Sequence, residues 1–350
     1  MKKKNLMKSL TALALSMLMV LSLAACGAKP SDGGKDEDKD GYTVAIIKQM
    51  DHASLDEIAD AIAARLDAIA QEQNVSIRYT ITSGQGDQSA LKQLADQAVA
   101  DQVDAIIPIA TTAAQVSAVA AEDSRTPVVY AAISDPDTAK LTGIDYVTGT
   151  SDALNTEYIL DMMLAQDPGV SKVGLLYSLS EPNSTKPIAE AKAYLEQHGI
   201  TCVEQTANTN DEVVAAAAAL ISAKVDAVFT PTDNVIMAAE LAIADDLAKA
   251  GIPHYTGADS FALNGAFLGY GVDYANLGAE TANMVSGILL DGSKPSATPV
   301  LTFDNGTATI NTDICRELGL NYDELAEAFA PLCTKVQSIV TAESFDDLNE

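Results

Sequence analysis

Three strand-then-loop units occur twice in this chain, in the same order. VDAIIPIATTAAQ, from Val103, aligns with VDAVFTPTDNVIM, from Val225. TVAIIKQMDHASLDEIADAI, from Thr43, shares its layout with KVGLLYSLSEPNSTKPIAEA, from Lys172, and PVVYAAISD, from Pro127, corresponds to PHYTGADS, from Pro253. One such pair means little, because buried α/β strands resemble one another by chance. Three in the same order point to two lobes of one topology. Within each set, short apolar runs alternate with helix-like segments, the pattern of a parallel sheet flanked by helices.

The first set reads as strand YTVAIIKQ, a helix over 54–73 with Ser54 and Glu57 as a capping box, strand VSIRYTIT, loop SGQGDQ and helix SALKQLADQAVA. DAIIPIA, TTAAQVSAVAA and PVVYAAI continue it, and a loop-rich hinge follows over 134–151. The second set is KVGLLYS, a helix over 185–198, ITCVEQTA, a helix over 211–223, DAVFTP, a helix over 234–250, and IPHYTG. GVDY then leads into a helix over 274–290, and VLTFDNGTATINTD reads as extended chain crossing between lobes. The expected fold is therefore α/β: two similar lobes, each a parallel sheet flanked by helices, hinged around a ligand cleft. Lobe 1 would span 42–149 with 274–303 returning to it, and lobe 2 would span 150–273 with about 304–350 returning. A length of 350 residues agrees, since it exceeds what one hydrophobic core organises.

What precedes Tyr42 has a different character. Lys2, Lys3, Lys4 and Lys8 form a basic start, an apolar stretch runs from Leu10 to Ala24, and Leu23-Ala24-Ala25-Cys26 resembles a bacterial lipobox. The stretch has the length of a signal-peptide core and is short for a bilayer span. Residues 1–25 are thus expected to be a lipoprotein signal peptide, Cys26 to carry the lipid, palmitate included, and 26–41 to be a flexible tether. The mature protein would be extracytoplasmic and anchored to the cell membrane.

Composition removes several function classes. The chain holds 21 Lys and Arg against 49 Asp and Glu, a formal charge of −28, and losing the leader removes four lysines and no acid. Nucleic acid and anionic lipid both need clustered basic side chains, so neither is an expected partner. Cys202, Cys315 and Cys333 remain after Cys26, an odd number without C-x-x-C spacing, so a zinc site is not expected. A Cys315–Cys333 bridge and idle thiols both stay open. No H-E-x-x-H, G-x-S-x-G or G-x-x-x-x-G-K-[ST] occurs. A cleft hydrolase using Glu181 and Asp233 as paired carboxylates and a sensory receptor of the same fold are the alternatives to a solute carrier.

In open parallel sheets, ligands bind beyond the carboxyl ends of the strands. Here those loops are QMDHAS, ATTAAQ and ISDPD in the first set, and SLSEPNS, PTDN and ADSF in the second. ATTAAQ offers a helix start at Thr111 or Thr112, whose first-turn N–H groups can hold a carboxylate. Asn183 or Ser184 can cap the next helix and also donate into the cleft. Asp233, followed by Asn234, suits a ligand ammonium, and N-capping is its other reading. Asp135, Glu181, Asp259 and Asp273 have the same double reading. His52 can stack or donate, and Tyr130, Tyr177, Phe261 and Tyr270 are candidates for an apolar wall, with core packing as the alternative for Tyr130 and Tyr177. Helix N-termini, an acidic partner and aromatic walls together suit a zwitterion with an apolar side chain: an amino acid, aromatic ones first.

GDQSAL, VDAIIPIATTAAQ, ISDP, LLYSLSEPNST, PTDN and GYGVDYANLGAETANM resemble, in order from Tyr42 to Tyr322, the motifs of an ABC transporter substrate-binding family of type I periplasmic-binding fold. That family includes tryptophan- and tyrosine-binding lipoproteins. The chain departs from it at Ala53 and Thr112, where proline is the commoner residue. The resemblance implies a monomer that captures a small solute between its lobes and delivers it to ABC permease subunits. No enzymatic activity, cofactor or metal is implied.

Overall fold

The structure, a computed structural model, describes residues 41–303 and 306–349. The expected leader, Cys26 and all but the last residue of the expected tether lie outside those residues. The first sheet contains β1 (Tyr42–Lys48), β2 (Ile77–Ser83), β3 (Ala105–Ile109), β4 (Val128–Tyr130) and β5 (Val147–Ser151), with α1 (Ala53–Gln73), α2 (Gln88–Ala100) and α3 (Thr111–Ala120) between them. Then come α4 (Thr156–Gln166), β6 (Lys172–Tyr177), α5 (Thr185–Gln197), β7 (Thr201–Thr206), α6 (Asn210–Ser222), β8 (Ala227–Thr230), α7 (Asn234–Met237) and α8 (Glu240–Lys249). The chain continues through β9 (His254–Thr256), α9 (Asp259–Leu263), β10 (Leu268–Gly271), α10 (Tyr274–Asp291), β11 (Leu301–Thr302) and β12 (Thr307–Asn311). It closes with α11 (Thr312–Glu317), α12 (Tyr322–Phe329) and β13 (Lys335–Ile339).

The two sheets have strand orders β11-β5-β4-β3-β1-β2 and β13-β12-β10-β9-β8-β6-β7. Stripped of β11, β12 and β13, they are the same order twice, which is the duplication seen in the sequence. All pairings are parallel except β10 with β12. Burial explains the strand compositions. AIIPI of β3 and AVFT of β8 are buried throughout, between neighbours on both sides. IRYTITS of β2 and TCVEQT of β7 lie at sheet edges and are half-buried or exposed at every position but Ile77.

Several elements differ from expectation. β5 and α4 occupy or follow the stretch read as a hinge. VTGTS falls within the stretch read as a hinge, but Gly149 (φ 158°) lets β5 approach β4: an added Cβ would lie 2.1 Å from the Tyr130 carbonyl oxygen. The helix expected over 234–250 is broken into α7 and α8, and the break puts buried Glu240 at the start of α8, 2.9 Å from His254 Nδ1. VLTFDNGTATINTD divides, β11 joining the first sheet and β12 the second. The helix over 54–73 starts one residue early, so Ser54 is inside it and makes no capping box: the N-cap is His52, without a side-chain cap bond.

α10 packs along α1 and fastens the return of the chain to the first lobe. Gly278 permits the close crossing, since a Cβ there would sit 2.7 Å from the Ile58 carbonyl oxygen. The chain thus passes between lobes near Asp152, near Asp273 and between β11 and β12. Cys202, Cys315 and Cys333 are all free thiols. Among the described residues, no helix is long and apolar enough to cross a membrane, and no group of three or more His, Cys, Asp or Glu is placed to hold a metal.

Candidate functional site

The strand-end loops of the two sheets meet at a narrow cleft of about 30 Å³. From lobe 1 it is lined by His52 and Ser54 after β1, Ala110 and Thr111 after β3, and Ala132 and Ser134 after β4. Asn183, Thr232, Asp233 and Asn234 face it from lobe 2, with Met237 and Phe261 as apolar wall. Asp152 and Tyr274 close its hinge side, each on a segment where the chain passes between lobes.

The two lobes contribute opposite chemistry. In lobe 1, α1 and α3 both begin at the cleft without a cap from their own N-cap residues, His52 and Ala110, although Gln49 takes the Thr112 N–H of α3. Their first-turn N–H groups and positive dipole ends therefore face the ligand side. Ala110 is held at φ 75°, ψ 164°, backbone that glycine normally takes, and neighbouring Ala132 also has a left-handed φ of 58°. In lobe 2, the corresponding α7 is capped from within the protein. Asp233 Oδ1 accepts from the N–H groups of Val235 and Ile236, both at 3.1 Å, and Oδ2 from Ser178 N at 2.7 Å and Ser184 Oγ at 2.6 Å. Four donors occupy a carboxylate that is fully buried. The capping reading of Asp233 is the one the geometry carries.

Asp152 is the carboxylate that sequence reasoning missed. Its Oδ1 accepts from Ser134 Oγ and its Oδ2 from Tyr274 OH, each at 3.0 Å, which ties two chain crossings together. Burial pushes its pKa up to about 6, although both hydrogen bonds favour the ionised form. Ser134 Oγ also lies 3.1 Å from Thr232 Oγ1 across the cleft. Aspartate in SDALN, after a stretch read as loop, gave no signal, because its place at the cleft depends on β5 being a strand.

A chain of hydrogen bonds crosses between the lobes beside the cleft. Gln49 Nε2 donates to Glu181 Oε1 at 2.5 Å, and Asn234 Nδ2 to Glu181 Oε2 at 2.6 Å. Gln49 Oε1 accepts from Thr112 N at 3.0 Å, and His52 Nε2 lies 3.0 Å from Asn234 Oδ1. Burial holds His52 down at about 4, so it is a neutral imidazole donating from Nε2. Its Nδ1 is buried without a partner, as are Asn183 Oδ1 and Asp259 Oδ1. Burial, and then the Asp233 charge, raises the Glu181 pKa. Glu181 and Asp233 both belong to lobe 2, so they do not face each other across the cleft as a glycosidase pair would.

The remaining predicted residues lie outside the cleft. Asp135 bonds the Thr138 N–H and pairs with Lys186 of α5 at 3.3 Å, an interlobe contact on the rim. Asp259 opens α9 beside the cleft-lining Ala258, and burial lifts it to about 6. Asp273 caps α10 through the Asn276 N–H and is exposed. Tyr130 and Tyr270 are fully buried in the cores of their lobes, and Tyr177 donates to Glu204 at the surface. Of the four aromatic candidates, Phe261 alone reaches the cleft, and Tyr274 was missed.

Two α/β lobes of one topology, facing each other with polar strand-end loops, define the type I periplasmic-binding fold. The chain belongs to the family described as ABC transporter substrate binding protein, whose model matches residues 43–331. It is 27% identical over 323 residues to a tyrosine-binding protein of Clostridioides difficile, covering 89% of this chain and 92% of that one. Among solved structures, it resembles an ABC domain of Streptococcus pneumoniae in complex with L-Trp, with 31% identity, TM-score 0.76, and coverage of 85% of this chain and 99% of that one. It also resembles the ligand-free, open structure of a substrate-binding protein with adhesive properties from Clostridium difficile, with 25% identity, TM-score 0.63, and coverage of 86% and 100%.

Proposed function

We propose that this protein is the extracytoplasmic, lipid-anchored receptor of an ABC importer, that it captures an aromatic amino acid between its lobes, and that it passes it to the permease. The observation that carries the ligand class is the polarity of the cleft. Helix starts line the lobe 1 side, Asp233 lines the lobe 2 side, Asp152 lines the hinge side, and no Lys or Arg is among the lining residues. A zwitterion matches both ends. Its carboxylate caps α3 at Thr111, and its ammonium meets Asp152, since Asp233 is already saturated. Phe261, Met237 and Leu55 supply the apolar wall for the side chain. The tyrosine- and tryptophan-binding relatives support the aromatic choice.

At about 30 Å³ the cleft holds far less than the several hundred Å³ of an ordinary ligand pocket. Solute entry therefore requires the lobes to part, as hinged receptors do. A lipid on Cys26 followed by a polar spacer keeps such a receptor near its permease while leaving it free to turn and dock. Titration calorimetry with L-tyrosine, L-tryptophan, other amino acids and sugars tests the reading. One aromatic amino acid should bind per chain, and Asp152→Asn should weaken it by at least about thirtyfold, the low end of truncating a buried charge pair. Binding of a sugar with no response to any amino acid rejects it.

A further inference from the structure

A second cavity, of about 370 Å³, lies between the lobes next to the deep cleft and is lined by Gln49, Gln85, Thr112, Gln115, Glu181 and Asn208 among others. Residues 49–50, 85–91 and 112–115 come from lobe 1, and 180–182, 208–210 and 235 from lobe 2, so the cavity is the mouth of the interlobe space. The Gln49–Glu181 bond runs along its floor. Neither side chain lines the deep cleft, and both are nearly inaccessible, 3% and 4% exposed.

We propose that Gln49 and Glu181 form a clasp that shuts the mouth, holds a closed population even without solute, and sets how long a bound solute is retained. The orientation of each amide is fixed by its other partner. Gln49 Oε1 takes the Thr112 N–H, so its Nε2 turns to Glu181, and Asn234 Oδ1 takes His52 Nε2, so its Nδ2 does the same. Glu181 thus receives one donor from each lobe. Opening breaks the Gln49–Glu181 and His52–Asn234 bonds together with the Ser54–Ser260, Ser134–Thr232 and Asp135–Lys186 contacts, and of these only Gln49–Glu181 lies at the mouth with neither side chain lining the deep cleft. Gln49 is a positioning residue: it acts through Glu181 and the lobe geometry, not on the solute. The clasp rests on the proposed closure around a solute, but its own contacts need none.

The chemistry allows an exchange that keeps every bond. With Gln49→Glu and Glu181→Gln together, the carboxylate at 49 accepts from Thr112 N and from the new amide at 181, whose oxygen accepts from Asn234 Nδ2. Gln49→Glu alone removes the Nε2 donor and, above the raised Glu181 pKa of about 8, sets two carboxylates against each other, so the variants are compared at pH 9. Because the chain contains no tryptophan, the fluorescence of bound L-tryptophan reports release directly in a stopped-flow chase, and L-tyrosine is followed by competition. Gln49→Ala and Gln49→Glu should speed dissociation at least about tenfold while association changes by less than about threefold. The exchange variant should return to within about threefold of the parent. Unchanged release from Gln49→Glu, or release from the exchange variant as fast as from Gln49→Glu, overturns the clasp. Small-angle scattering of the ligand-free proteins decides the matter separately from ligand identity. The clasp requires a larger radius of gyration for Gln49→Glu than for the parent, and recovery on exchange. Equal radii in all three overturn it, whereas failure of both amino acids to bind overturns only the aromatic reading.

Discussion

Asp233 and Asp152, two carboxylates in one cleft, have opposite surroundings. Asp233 is surrounded by donors that the protein itself supplies, two of them helix N–H groups, so its charge is spent on α7. Asp152 has two hydroxyl partners, and hydroxyls can turn to other acceptors, which leaves its oxygens open to a further donor. Replacing Asp233 by alanine removes a cap and strands Ser178 N and Ser184 Oγ in the interior. The expected loss is about 2–4 kcal/mol of stability, combining a cap with buried donors left unpaired. Chemical denaturation of Asp233→Ala measures it. A loss confined to ligand affinity, with the denaturation midpoint unmoved, would return Asp233 to the role of ammonium partner.

At the scale of elements, the packing of α10 on α1 holds the start of α1 at the cleft. α1 carries His52 and Ser54 into the cleft, and Tyr274, at the start of α10, reaches Asp152. Gly278 is where the helices touch backbone to side chain, with Ala61 Cβ 2.9 Å from an added methyl as well as the Ile58 carbonyl. Gly278→Ala gains helix propensity of nearly 1 kcal/mol, but overpacking at such distances costs about 1–3 kcal/mol. The variant should therefore lower the thermal midpoint, and scanning calorimetry checks it. A raised midpoint would mean that the two helices slide apart freely.

For the whole molecule, buried acids make stability depend on pH in an unusual direction. Asp152 and Asp259 are pushed up to about 6 and Glu57 to about 8, in each case first by burial; the Asp259 charge adds to the Glu57 shift. A carboxyl whose pKa is higher folded than unfolded keeps its proton better in the folded state. Its contribution is complete below the ordinary carboxylate range and is lost as pH rises through the folded value. The ligand-free protein should accordingly melt at a higher temperature at pH 5 than at pH 8, and Asp152→Asn should flatten the part of the decline near pH 6. Affinity for a zwitterion should run the other way, rising from pH 5 to 7 as Asp152 ionises. Melting curves that climb toward pH 8 would contradict the burial of these groups.

Local pattern and repetition determined the architecture. Apolar runs such as DAIIPIA and DAVFTP, repeated in order, specify buried parallel strands because only a strand covered on both faces tolerates such runs. The strand-end loops, and with them Thr111, Asn183, Asp233 and Asn234 at the cleft, follow from that order. Tertiary structure decided the rest. Whether Asp233 serves a helix or a ligand depends on Ser178 and Ser184, which lie 55 and 49 residues away and arrive only when β6 and β8 pair. Asp152 becomes a cleft residue only once β5 joins β4, at Gly149, and α10 brings Tyr274 to it. Tyr130 and Tyr270 went to the cores because side-chain direction follows from pleat and register, which composition does not carry. Short-range chemistry chose the elements, and long-range packing chose which of their polar groups remain available to a solute.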